Sequence, residues 1–173
     1  MNFKWKVNVR VIVRDLADNI LEVKELHNLI PTVSLNKVRD FWEGLITDGK
    51  IIDGAVGRDN TAPALTDVGL GQETFRKPIV GMSEPGDGQL LTTVYIKPSE
   101  AVGLIEEMGW FSNFAVDDFW LAENDDFVVQ ETGDHIIFEG AGVLFSRVLY
   151  DPPHTKPNVE SIQIERTDTI EEA

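Results

Sequence analysis

The sequence predicts a mostly-β domain, a β-sandwich or partly open barrel, with one amphipathic helix near residues 35–47. Three observations lead there. The first fourteen residues alternate apolar and polar. Short apolar runs separated by Gly/Pro turns recur along the chain. Only one stretch repeats its apolar residues at spacings of three and four.

Phe3, Trp5, Val7, Val9, Val11 and Val13 share one parity, and Lys4, Lys6, Asn8, Arg10 and Arg14 the other. That is the period of a strand with one buried face, and Ile12 is its only apolar exception on the polar side. Asp15–Asn19 reads as a turn. Ile20–Ile30 then reads as a second strand, forming a hairpin with the first. Ser34 is placed to cap a helix over Leu35–Thr47 that ends near Asp48-Gly49. Its stripe of Val38, Phe41, Trp42, Leu45 and Ile46 is expected to cover a sheet.

Further strands are expected at Ile51–Val56, Lys77–Met82, Leu90–Ile96, Leu104–Phe111, Phe127–Gln130, His135–Phe138, Val143–Leu149 and Ser161–Glu165. Glu84–Gly88 and the Pro-rich Asp151–Pro157 read as turns. The acidic tail 167–173 is expected to fray. Residues 1–173 read as a single β-rich domain.

Composition narrows the functional classes. An apolar content of 42% with 26% charged residues suits a folded domain. The chain contains no cysteine, so disulfides, thiolate nucleophiles and Cys-ligated zinc are unavailable. No apolar run approaches the roughly 20 residues of a membrane helix, and the N-terminus lacks a secretory h-region. No membrane partner is therefore expected. The net charge of −15 argues against nucleic acid as a partner. It is unevenly spread. The basic first strand, 1–14, carries Lys4, Lys6, Arg10 and Arg14 without an acid, a local +4 that leaves −19 for the rest. This strand is either a solvated face or a docking edge for an acidic neighbour, another copy included.

Catalytic patterns are not found. His27, His135 and His154 have no metal-binding spacing, and the acids 117–126 lack a calcium-loop register. Gly54-Ala-Val-Gly57 is not a phosphate loop, and no GxSxG elbow occurs. The sequence therefore predicts neither an enzyme nor a metal or cofactor site.

The segment 54–76 is more informative. Gly54 and Gly57 suggest special backbone, Pro63 stiffens the chain, and Thr66 or Asp67 could cap a short helical turn bearing Leu70. A loop of about twenty residues inside a compact domain is uncommon unless functional. Lacking catalytic groups, it reads as an interface loop, with Arg58, Asp59 and Pro63 as contact candidates.

The same residues carry a resemblance. Gly54-Ala-Val-Gly57, Thr61-Ala-Pro63-Ala-Leu-Thr-Asp67, Leu70, Glu73 and Arg76 resemble a motif of the bacteriophage tail and tail-collar fibre N-terminal attachment-domain family. Ile105–Phe111, Gly142–Arg147 and Pro152–Asn158 are similar to later pieces of that family's pattern, in the same order. The resemblance implies a phage virion structural protein assembled in the bacterial host cytoplasm, with other virion proteins and its own copies as partners. It also implies that Glu73, Arg76, Glu107 and Arg147 form fold-organising ion pairs. The chain departs from the pattern at Arg58-Asp59-Asn60, in a long insertion over 112–141, and in having no fibre shaft. These departures favour a connector, collar, baseplate or fibre-base subunit. The insertion either packs its aromatics on its own domain or uses Phe119 and Trp120 to anchor a subunit interface. The alternative function is a carbohydrate- or receptor-binding module built on the same aromatics.

Overall fold

A computed structural model describes residues 3–46, 49–113 and 142–172. The expected strands Phe127–Gln130 and His135–Phe138, His135 itself, and Phe119 and Trp120 lie outside the described residues. Nine strands and one helix follow in the order β1 (Phe3–Arg14), β2 (Ile20–Leu29), α1 (Thr32–Trp42), β3 (Ile51–Gly57), β4 (Glu73–Pro78), β5 (Gly81–Ser83), β6 (Gln89–Ile96), β7 (Gly103–Ser112), β8 (Val143–Lys156) and β9 (Ser161–Glu172). The fold is mostly β, as the alternation and turn spacing predict.

All nine strands join one antiparallel sheet, ordered β4-β3-β7-β8-β2-β1-β9-β6-β5. The sheet curls into a half-barrel. Strand β2 is where it bends. Its residues 20–27 pair with β1, and only Asn28 and Leu29 pair with β8. The curl brings β3 against β6, where a Cβ on Gly54 would lie 2.3 Å from Val94 Cγ2. A side chain there would push the two walls apart.

The segment Glu73–Ser83 straps this junction. Its first half pairs with β3 as β4, and its second half pairs with β6 as β5. Between them the Ile79 N–H donates to Ile52 O at 2.9 Å and the Val80 N–H to Thr93 O at 2.8 Å. The single strand expected over Lys77–Met82 is thus two short strands serving both edges of the curl.

The concave side holds the main core. Val9, Val11 and Val13 meet Val56, Val94, Ile105, Met108, Trp110, Val148, Tyr150, Ile162 and Ile164 there. Each such aliphatic side chain contributes about 1.5–3 kcal/mol on burial. A second, smaller cluster of Ala55, Phe111 and Leu144 packs on the convex side under Leu70. The loop 58–72 therefore lies over β3, β7 and β8 instead of extending into solvent.

Several local expectations are corrected. The helix begins at Thr32 and stops at Trp42. Pro31 is its N-cap, and Ser34 lies inside it, donating its hydroxyl to Leu144 O at 2.6 Å and pinning the helix to β8. The Thr32 N–H is taken by Leu65 O at 2.8 Å, so the 58–72 loop supplies the cap. The C-terminus is a Schellman motif. Gly44 has φ +73°, its N–H donates to Phe41 O, and the Leu45 N–H donates to Asp40 O. The early stop leaves Phe41, Trp42 and Leu45 exposed, Trp42 to 77%, so they do not cover the sheet as expected.

The tail does not fray over 167–172. Strand β9 runs to Glu172, paired with β1 along its whole length and with β6 over half of it. The Pro-rich stretch Asp151–Lys156 is not a turn but the second half of β8, with a cis Asp151–Pro152 bond.

Candidate functional site

The convex face carries a cluster centred on Arg147. In the β7–β8 ladder Arg147 sits opposite Gly109, so Glu107, two residues back on the same face, is its diagonal neighbour. Arg147 is 3% exposed and Glu107 is fully buried. Arg147 Nε donates to Glu107 Oε2 at 2.8 Å, Nη1 to Asp67 Oδ2 at 2.9 Å, and Nη2 to Asp59 Oδ2 and Thr61 O, both at 3.1 Å. The planar fork of an arginine can reach three carboxylates and a carbonyl in this way, whereas a lysine ammonium cannot.

The carboxylates bind the loop in turn. Glu107 Oε1 accepts the N–H groups of Asp59 (3.3 Å) and Gln72 (2.8 Å), and Oε2 accepts that of Gly71 (3.1 Å). Asp67 Oδ2 accepts from Ala64 N–H, and Asp59 Oδ1 from Thr61 N–H, each at 2.9 Å. Burial alone would pull the Arg147 guanidinium down, but hydrogen bonds and charge from Asp67 and Glu107 outweigh it and hold it above its ordinary value. Hydrogen bonds from Thr61 hold the Asp59 carboxyl below the usual carboxylate value, with the Arg147 charge adding to them.

Glycine is required beside this cluster for space. Gly57 ends strand β3 without a positive φ, and a Cβ there would fall 2.3 Å from Glu107 Oε1 and 2.5 Å from Gln72 O. The special backbone expected at Gly54 and Gly57 is not what selects glycine at either position; close approach is. The helical turn expected after Thr66 or Asp67 is also absent, since Asp67 caps a tight turn back to Ala64.

A second pair stands beside the first. Arg76 binds Glu73 with both ends of its fork, at 2.8 and 2.6 Å, and its guanidinium lies 3.5 Å from the centre of the Phe111 ring. The four residues named as fold-organising thus form two pairs, Glu107–Arg147 and Glu73–Arg76. Asp59, expected as an interface residue, is bound to Arg147 through Oδ2. Arg58 is exposed and Pro63 half-buried.

The basic strand is matched by its own neighbours. Arg10 lies between Glu25 (3.7 Å) and Glu165 (3.6 Å), Lys6 pairs with Glu171, Arg14 reaches Asp18 at 3.6 Å, and Lys4 sits opposite Glu171 in register. The outer surface of β1 is accordingly a mixed-charge ladder with β2 and β9, not a basic patch.

Sequence reasoning missed a third arrangement, on the concave side. Arg166 is fully buried and donates to Asp168 Oδ1 at 2.5 Å, and Trp5 Nε1 donates to the same oxygen at 2.8 Å. The guanidinium rests 4.5 Å from the Phe145 ring centre. Arg166 Nε and Nη1 and Asp168 Oδ2 have no hydrogen-bond partner among the described residues. Burial pushes the Asp168 carboxyl up, against the pull of Arg166 and Trp5, and pulls Arg166 down to about 10. A signal for this existed: Ile162, Ile164, Arg166 and Asp168 share one parity, so a β9 extended past 165 had to carry both charges inward.

No family model matches the chain, and no curated protein or solved structure is significantly similar to it.

Proposed function

We propose that this chain is a structural subunit of a bacteriophage particle, a connector, collar, baseplate or fibre-base component that acts by making protein interfaces. One observation carries the reading. The motif pieces that resemble the phage attachment-domain family, though far apart in sequence, converge on Arg147. Gly57 from β3, Thr61, Asp67 and Leu70 from the loop, Glu107 and Phe111 from β7, and Leu144 from β8 all join that unit or the apolar cluster beneath it, and Asp59, where the chain departs from the pattern, is bound there as well. One carboxylate oxygen from each of Asp59, Asp67 and Glu107 is bound to Arg147. The cluster is built to hold a long loop rigid, which is what a subunit presenting that loop to a neighbour needs.

The exposed end of α1 adds a contact surface. Phe41 and Trp42 in the last helical turn and Leu45 just after Gly44 are exposed side by side in the chain, and aromatic residues of this kind anchor interfaces. In this reading the partners are other virion proteins and further copies of the chain.

The test has two parts. Mass spectrometry of purified particles of the phage that encodes the chain should find it at stoichiometric level. Sedimentation of the isolated protein should show an oligomer that Trp42→Glu with Leu45→Glu dissociates. Absence from the particles, with the protein left in the soluble lysate, would sink the proposal.

A further inference from the structure

We draw no further inference here: the strongest candidate, the exposed aliphatic patch of Leu16, Ile20, Leu21 and Val159 at the end of the sheet where the β1–β2 and β8–β9 turns adjoin, carries none because nothing in the structure shows what covers it.

Discussion

Two buried arginines face opposite sides of the same sheet, and they are solved differently. Arg147, on the convex side, has each of its three guanidinium nitrogens bound, to three carboxylates and a carbonyl. Arg166, on the concave side, has one carboxylate, two aromatic rings and two nitrogens without a hydrogen-bond partner among the described residues. The convex cluster holds a long loop to the sheet. The concave pair holds only β1 to β9 through Trp5, two strands already paired along twelve residues. Burial of an ion pair is therefore no measure of its structural weight; what matters is how much chain has no other attachment.

Arg147→Ala should have the largest effect. It leaves Glu107 buried without its cation and frees Asp59 and Asp67 together, so a loss of about 3–5 kcal/mol in unfolding free energy is expected by urea denaturation. Proteolysis should then cut within 58–72 before the strands are lost. Arg147→Lys should recover little, because a point charge cannot replace the fork. Replacing the concave pair with apolar residues of similar volume, Arg166→Met with Asp168→Leu, should leave stability unchanged or raise it by about 1–4 kcal/mol. A loss from that double variant as large as that from Arg147→Ala would erase the distinction.

Gly57→Ala tests the convex cluster without touching a charge. The added methyl must displace Glu107 Oε1 or the Gln72 carbonyl, and the second is backbone. Overpacking of this kind costs about 1–3 kcal/mol. The loss should shrink in an Arg147→Ala background, where Glu107 is already free to move. Strict additivity would mean that Gly57 does not act through Glu107.

The same contrast explains what could be read from sequence. The strands and their inward parity were legible because period-two alternation depends only on local order, as in Val9, Val11 and Val13. The pairing of Glu107 with Arg147 was reachable only through a family resemblance, since 40 residues separate them. The role of Asp59 was not legible, because an acid in a Gly/Asp/Asn-rich loop looks the same whether it meets solvent or a guanidinium. The helix end was misread for a physical reason. Phe41, Trp42 and Leu45 continue an apolar spacing, and the Gly44 turn that ends the helix inside that spacing is the weaker signal. The concave pair was hidden by the assumption that an acidic tail frays, whereas β9 carries it into the barrel between β1 and β6.

The two sides should also answer pH with opposite signs. Asp59 is held below its ordinary value by Thr61 and Arg147, so its contribution is present above the unfolded carboxyl pKa near 3.8 and is lost as pH falls through the lower folded value. Asp168 is pushed up by burial, so its contribution is present below 3.8 and is lost as pH rises through the higher folded value. Measured from acid toward neutrality, the stability of wild type relative to Asp59→Asn should rise, and that relative to Asp168→Asn should fall. Parallel slopes would show that the two carboxyls share an environment after all.

The smallest effect should come from a third arginine. Arg10 has acids on both sides, Glu25 and Glu165, but at 3.6–3.7 Å and with its side chain 46% exposed. Solvent screens such pairs, and side-chain entropy offsets most of what remains, so Arg10→Gln should cost no more than about 0.5 kcal/mol. That loss should vanish in about 1 M salt, where the screening length is roughly 3 Å, while the loss from Arg147→Ala should hardly change. If Arg10→Gln costs as much as Arg147→Ala, or if salt weakens both alike, then charge count rather than the hydrogen-bonded attachment of the loop sets the stability of this sheet.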